Sequence, residues 1–181
     1  GVTDKADEDC FDYYLIVKPS ALNHEHITLH EDTKHIMAQA FLDVDNYVYV
    51  DVADISTWMK LDLTDCQQHN STPFREGTKM FVDGVETNEI VVPEGIDTIF
   101  EGFLTNISTI TKVVLSEGVV NINENAFNNA SGLKEIYLSS TLKVVGKNAF
   151  EGAKALEKIS VNNEQGWLNL EFANDSSNPF S

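Results

Sequence analysis

Residues 110–161 read ITKVVLSEGVVNINENAFNNASGLKEIYLSSTLKVVGKNAFEGAKALEKISV, and the apolar residues of this stretch recur every 23 positions. Each copy contains a run of the form apolar-x-x-apolar-x-apolar; the three runs are Ile110-Val113-Leu115, Leu133-Ile136-Leu138 and Leu156-Ile159-Val161. Each interval between two runs also holds an Ala-Phe pair, at Ala126-Phe127 and at Ala149-Phe150. The stretch therefore predicts one structural unit that is repeated in series.

A fixed period of about 20–29 residues with this leucine pattern is typical of a leucine-rich-repeat solenoid. Full burial of one such side chain contributes about 1.5–3 kcal/mol, but a single turn cannot hide its apolar face unless neighbouring turns stack on it. We therefore predict a single domain, residues 1–181, that folds as a right-handed solenoid. It should be rich in β-strand, with short helices and turns.

The period places three 23-residue units in residues 91–161 and an earlier unit in residues 1–52. In the earlier unit, Ile27 and Leu29 belong to one apolar run, and Val50 and Val52 belong to the next. The segment Tyr13–Val17, near the start of the chain, resembles the strand that precedes the Asp-Gly pair of the next segment.

Residues 53–90 interrupt the repeats with a different module. Asp54 is a suitable N-cap for a short helix that carries Trp58, and Asp83-Gly84 suits the type I′ turn of a β-hairpin. We expect the return strand of this hairpin to run into Ile90–Val92. Because Trp167 stands 109 residues after Trp58, residues 162–181 should begin a second module of the same kind, so that a longer period encloses the short one.

The predicted strands also determine which side chains face outward. Successive side chains of a strand point to opposite faces of the sheet, so the residues between the buried positions of each run are exposed. On this basis the candidate binding residues are Val91, Lys112, Val114, Glu135, Tyr137 and Lys158.

Composition excludes some classes of partner. The chain has 181 residues, 42% hydrophobic residues and a formal net charge of −17. This charge disfavours nucleic acids and anionic lipids, which attract Lys and Arg. No apolar run is long enough to cross a membrane. The two cysteines, Cys10 and Cys66, are compatible either with one disulfide or with two free thiols.

Few residues in the sequence are arranged as an active site or a metal site. His24 and His26 on one strand face could provide two zinc ligands, but a solvated sheet edge explains them more simply. Asp43, Asp45 and Asn46 resemble the start of a calcium loop that lacks its glycine, and Cys66 near His69 has no third group to orient it. No catalytic fingerprint is present, and we predict no enzyme activity, no metal and no cofactor.

The segments VVPEGIDTI, VLSEGVVNINENAFNNASGLKEIYL and LSSTLKVVGKNAFEGAKALEKISV resemble the BspA-like leucine-rich repeats of bacterial surface proteins. The chain departs from the family pattern after each Ala-Phe position, where Ile107, Ala130 and Ala153 replace the usual Cys or Ser. The Ile-Gly pair of the family survives only as Val145-Gly146. The resemblance implies a secreted or cell-surface protein that binds host proteins, other cells or extracellular matrix, and it implies neither an enzyme nor particular site residues.

We therefore expect a non-catalytic, adhesin-like module that binds a protein through its exposed sheet. One alternative is a glycan-binding module that stacks sugars on Trp58 and Trp167, although the identical place of these residues in the long repeat favours a role in the core. The other alternative is a structural spacer within a longer surface protein.

Overall fold

The computed structural model describes residues 14–15, 26–29, 31–36, 49–62 and 76–179. In chain order the strands are β1 (Tyr14–Leu15), β2 (His26–Leu29), β3 (His35–Ile36), β4 (Tyr49–Val52), β5 (Lys79–Val82), β6 (Val85–Glu86), β7 (Glu89–Val91), β8 (Thr98–Ile99), β9 (Lys112–Val114), β10 (Asn121–Ile122), β11 (Glu135–Leu138), β12 (Val144–Val145), β13 (Lys158–Val161) and β14 (Glu171–Phe172). The helical elements are α1 (Ile55–Met59), α2 (Glu164–Leu168) and a 3-10 helix at Asp175–Ser177.

The later part of the chain winds through two parallel sheets, once per turn. Strands β7, β9, β11 and β13 lie side by side in one four-stranded sheet, and β8, β10, β12 and β14 form the other. Partners in the first sheet are 23 residues apart, as in the pairing of Lys112 with Glu135 and of Glu135 with Lys158. The predicted period and the predicted leucine-rich-repeat solenoid are thus confirmed.

The longer period is also visible in the structure. Strand β4 is followed by α1 and by a bridge of Asp62 with His35, and β13 is followed by α2 and by the pairing of Glu171 with Val144, each 109 residues later. Each helix begins at a capping side chain: Asp54 accepts a hydrogen bond from the amide of Thr57, and Asn163 accepts one from the amide of Gln165. The interrupting module is therefore itself a turn of the solenoid.

The Asp-Gly hairpin forms as predicted, but its return strand is shorter than expected. Asp83 and Gly84 both have positive φ angles, 50° and 74°, as a type I′ turn requires, and β5 pairs antiparallel with β6. The prediction that this strand runs into Ile90–Val92 is wrong. The chain bends after β6 where the Thr87 hydroxyl donates to the carbonyl of Glu89, which frees β7 to pair in parallel with β9.

The first strand that the structure describes, β1, has a different position in the solenoid from the one that its resemblance to the hairpin strand suggested. Strand β1 pairs in parallel with β3, whereas the hairpin strand β5 pairs with β4. Because β3 occupies the second strand position of its turn, as β8 does later in the chain, β1 belongs to that second position. A two-residue strand has too little pattern to identify its neighbour.

The core is a continuous column of apolar side chains with an aromatic ladder. Rings contact one another from Trp58 through Phe100, Phe103 and Phe127 to Phe150, with centroids 5.0–5.9 Å apart. Trp58 and Phe127 are fully buried, which confirms Trp58 as a core residue. Because Trp58 belongs to the early module and Phe100 to the later repeats, the ladder connects the two parts of the chain.

Left-handed backbone conformations recur at the bends with the same period. The φ angle is positive at Asn106, Asn129 and Gly152, and again at Gly102, Asn125 and Asn148. Asn and Gly tolerate this conformation better than other residues, and both series lie in the turn segments 101–106, 124–129 and 147–152, which follow β8, β10 and β12. These residues allow each turn to close at the same length, which keeps the strands in register.

Candidate interaction surface

The outer face of the sheet formed by β7, β9, β11 and β13 carries two rows of side chains that cross the strands. The pairing register aligns one residue from each strand in each row. We call the first the charged row; it consists of Glu89, Lys112, Glu135 and Lys158. We call the second the apolar row; it consists of Val91, Val114, Tyr137 and Ser160.

The charged row alternates in sign and is joined by two ion pairs. Lys112 Nζ lies 2.7 Å from Glu89 Oε1, and Lys158 Nζ lies 3.0 Å from Glu135 Oε2. The Glu89 carboxylate raises the pKa of Lys112. The Lys158 ammonium, together with the Tyr137 hydroxyl, lowers the pKa of Glu135. The two ion pairs therefore hold the four side chains of the charged row in defined positions.

Tyr137 connects the charged row to the apolar row. Its hydroxyl donates to Glu135 Oε2 at 3.2 Å and accepts from Lys158 Nζ at 2.8 Å. The ammonium groups of Lys112 and Lys158 lie 5.3 and 5.0 Å from the ring centroid, within the range of cation–π attraction. Because lysines on both neighbouring strands contact it, the ring is fixed in place before any partner binds.

The apolar row is open to solvent at one end. Val91 is 54% exposed, whereas Val114 and Tyr137 are half-buried among their neighbours. Of the six candidate residues, Lys158 is exposed, and Lys112 and Glu135 are half-buried. All six candidate residues therefore lie on one face of the sheet, as strand alternation predicts. The two ion pairs join the four residues of the charged row, which the sequence indicated only as separate charges.

A shallow groove lies beside the charged row, where the strands begin. It has a volume of about 240 Å³, and its walls consist of Asn88, Glu89, Thr111, Lys112, Lys134 and Glu135. The lining contains amide, hydroxyl, carboxylate and ammonium groups but no nucleophile that is paired with a base. The groove can therefore provide hydrogen bonds and charges to a partner at the edge of the sheet face.

Sequence reasoning missed a second aromatic feature, on the outer face of the earlier sheet. The rings of Tyr49 and Phe81 pack with centroids 4.4 Å apart, and both are half-buried. Lys79 on the same strand pairs with Glu86 across the hairpin, with 3.4 Å between Nζ and Oε1. The alternation around the buried Val50 and Met80 would have placed both rings outward.

Several of the other candidate residues lie outside the residues that the structure describes, and these are Cys10, His24, His30, Asp43, Asp45, Asn46, Cys66 and His69. His35 is described, and its Nδ1 lies 3.0 Å from Asp62 Oδ2. Within the described ranges, no group of three or more His, Cys, Asp or Glu residues could hold a metal ion. Trp58 is fully buried, so sugars cannot stack on its ring.

Comparison with known proteins identifies the family. Six copies of the sequence pattern described as BspA type leucine rich repeat region match residues 70–176. The chain belongs to the BspA-type leucine-rich-repeat family. Solenoids of this family are typically non-catalytic, and their repeated face suggests a protein-interaction module. No curated protein matches the sequence.

The solved structures include a similar fold. A leucine rich cell surface protein from Faecalibacterium prausnitzii A2-165 matches with a TM-score of 0.55 and 17% sequence identity. The match covers 88% of this chain and 38% of that protein. At this identity the likeness shows the fold alone, and the chain spans well under half of its neighbour. No helix among the described residues is both long and apolar enough to span a bilayer.

Proposed function

We propose that this chain is a non-catalytic, adhesin-like module that binds a protein on the outer face of the sheet formed by β7, β9, β11 and β13. The observation that carries the proposal is the apolar row that ends in an exposed Val91 and lies beside the ion-paired charged row. Exposed apolar side chains in a row, bordered by polar ones, mark interaction surfaces.

The apolar row and the charged row contribute to binding in different ways. Interface cores are enriched in aromatic side chains, and Tyr137 lies at the centre of the face with its ring already fixed by two lysines. A rigid aromatic loses little conformational freedom on binding, which lowers the cost of association. The alternating charges beside it select partners whose own charges alternate in the opposite order.

The partner class follows from the family and from the charge. Membership of a bacterial leucine-rich-repeat family and the similarity to a cell surface protein support an extracellular or cell-surface location. The net charge of −17 favours partners with basic surfaces and disfavours nucleic acids and anionic lipids. We therefore place host, matrix or other-cell proteins first among the partners. The alternative, a spacer, predicts no binding at this face.

The test compares two variants that change outward-facing side chains in the two different sheets of the later repeats. Val114→Ser combined with Tyr137→Ser removes the centre of the apolar row. Val144→Ser changes an apolar residue that is 36% exposed on strand β12, in the other sheet. Purified proteins are titrated onto immobilised matrix proteins and onto host cells.

We expect the double variant to lose about tenfold or more in affinity, as loss of an aromatic anchor does, whereas Val144→Ser binds like the wild type. Circular dichroism of both variants establishes that they are folded. Equal binding by the double variant and the wild type would exclude this face. If the wild type binds none of these proteins, the spacer alternative is favoured.

A further inference from the structure

The charged row is neutral as a whole, although it lies on a strongly acidic chain. Glu89, Lys112, Glu135 and Lys158 follow one another across four neighbouring strands, and their charges cancel. The whole chain has a formal net charge of −17, so two copies of it repel each other. A neutral face is a place where that repulsion is weaker, and this face is therefore examined as a contact between copies.

The order of charges makes the row complementary to itself. When the row is read from β13 to β7, every position has the opposite sign from the row read from β7 to β13. A twofold axis that runs along the strands, midway between β9 and β11, lays one copy of the row over another in reverse order. Lys112 then lies opposite Glu135 of the second copy, and Glu89 lies opposite Lys158 of the second copy. Each contact occurs twice, as in every isologous interface.

The same axis lays the apolar row over itself. Val114 of each copy meets Tyr137 of the other at the centre, and Val91, which is 54% exposed, meets Ser160. A twofold axis along the rows would instead place each charge over its like, or place the charged row over the apolar row. One axis therefore suits both rows, although the two rows differ in chemistry.

The side chains at the centre of this face are ordered before a second copy arrives. Lys112 and Lys158 each form an ion pair within the chain, and both ammonium groups lie within 5.3 Å of the centre of the Tyr137 ring. Sheets that pack face to face lie about 10 Å apart, a distance that a lysine and a glutamate can span from opposite sides. A second copy can therefore add an opposite charge to each side chain of the row, at a small cost in conformational freedom.

We propose that the outer face of the sheet formed by β7, β9, β11 and β13 binds a second copy of this chain about the twofold axis between β9 and β11. The strands of the two copies run in the same direction, within the angle of about 30° that is usual for packed sheets. This inference rests on the proposed function, since it names the partner of the same face. Among the other-cell proteins considered there, the partner is the same chain on a neighbouring cell.

The size of the face determines the strength of the contact. The four strands are three or four residues long, so at a spacing of about 4.8 Å they cover about 250 Å². A standard interface buries about 800 Å² per partner. The contact between two isolated chains is therefore weak, with a Kd on the order of 100 μM, and it becomes strong between surfaces that carry many copies.

The test uses two variants of the 181-residue chain that give the charged row a single sign. The acidic variant combines Lys112→Glu with Lys158→Glu, and the basic variant combines Glu89→Lys with Glu135→Lys. Circular dichroism establishes that each variant is folded. Sedimentation equilibrium at physiological ionic strength measures association at chain concentrations up to about 1 mM, tenfold above the expected Kd.

A third variant is the matched control. It combines Lys143→Glu with Lys147→Glu, two exposed lysines on either side of β12, which lies in the other sheet. This control changes the net charge by the same amount as the acidic variant does, and it leaves the charged row intact.

We expect the wild type and the control to form dimers with similar dissociation constants. Each single-sign variant should associate at least about tenfold more weakly, because like charges then face each other across the axis. The net charge of the basic variant is closer to zero than that of the wild type, so a general charge effect would instead strengthen its association. A one-to-one mixture of the acidic and basic variants should form heterodimers at least as tightly as the wild type forms dimers, because opposite charges then meet at every position.

Three results would overturn the proposal. The first is a wild type that remains monomeric at every concentration. The second is a dimer that persists in both single-sign variants, because the contact would then lie elsewhere. The third is a mixture of the two single-sign variants that stays monomeric, because the charges would then not pair across the axis.

Matrix binding separates this inference from the proposed function. A monomeric wild type that binds matrix proteins, and loses that binding with Val114→Ser and Tyr137→Ser, would refute the contact between copies and leave the proposed function intact. A wild type that dimerises through this face but binds no matrix protein and no host cell would support the contact between copies and exclude the other partners.

Discussion

Replacing Gly146 with alanine tests whether neighbouring turns of the solenoid are in direct backbone contact. Gly146 follows β12, and its amide donates to the carbonyl of Ile122 in the previous turn at 2.7 Å. A Cβ atom at this position would lie 2.5 Å from the amide nitrogen of Glu124 and 2.6 Å from the carbonyl carbon of Asn123. Both are backbone atoms, so a rotamer change cannot relieve the overlap and one turn has to move.

Overpacking of this kind costs about 3 kcal/mol in free energy of unfolding. With a urea dependence of about 2.5 kcal/mol per molar for a chain of this size, the unfolding midpoint should fall by about 1.2 M. Circular dichroism during a urea titration measures the midpoint, and wild-type protein in the same buffer provides the reference.

Gly166→Ala is the matched control. At Gly166, within α2, the added Cβ would lie no closer than 3.5 Å to the Asn163 side chain, which is an ordinary contact. Alanine is a better helix former than glycine, so this variant should gain about 0.5–1 kcal/mol. If Gly146→Ala unfolds at the wild-type midpoint while Gly166→Ala is stabilised, the close approach of the turns is refuted.

Further predictions concern the helix cap, the charged row and the core. Asp54→Ala should lower the free energy of unfolding near neutral pH by about 1 kcal/mol. The Thr57 amide and hydroxyl lower the pKa of Asp54 from 3.8, so the cap contributes fully above the unfolded-state pKa and is lost as the pH falls through the lower folded-state pKa. In urea titrations, the difference between Asp54→Ala and wild type should therefore shrink below about pH 4. In the charged row, the Glu135 carboxyl should titrate below the ordinary 4.5 of glutamate by NMR, and Lys158→Met should raise its pKa toward that value. In the core, Phe127→Ala should cost about 3–5 kcal/mol in thermal or urea unfolding, because the ring is fully buried.

These predictions have controls in the same chain. Asn163 caps α2 with an amide side chain, so Asn163→Ala should lower stability equally at all pH values where the chain is folded. A pH-independent effect of Asp54→Ala would contradict the carboxylate cap. An unchanged Glu135 titration in Lys158→Met would mean that the ion pair does not form in solution. A cost below 1 kcal/mol for Phe127→Ala, relative to the usual aromatic loss, would contradict the aromatic ladder.

The repeating elements were predictable from the sequence because residues that stack on one another recur with the same period. Ile136 packs on Val113 and Ile159 because each occupies the same position in its own turn, so one period encodes both contacts. The Asp83-Gly84 hairpin was equally predictable, because few residue pairs adopt its turn. The end of the return strand was not predictable, because it depends on where the chain stops pairing with β5, as β6 does, and begins to pair with β9, as β7 does.

The candidate surface was predicted in position but not in structure. Strand alternation is a local property, and it placed Lys112, Glu135 and Tyr137 on one face. Their ion pairs, and the lysines on both sides of Tyr137, depend on side-chain conformations that form only when three strands lie together. The Tyr49–Phe81 contact joins residues on two neighbouring strands separated by a long segment, which no local pattern records.

The sequence by itself determined the repeating unit of the solenoid: the length of the unit, its buried positions, its bends and the direction in which its exposed side chains point. These follow from periodicity, because each turn must match its neighbours to share one core. Only the tertiary structure decided how turns meet and what covers them. Trp58 and Trp167 occupy the same place in the repeat, yet one is buried and the other half-exposed. Trp58 packs against Phe100 of the later repeats, and the position of a residue in the repeat does not by itself specify what packs against it.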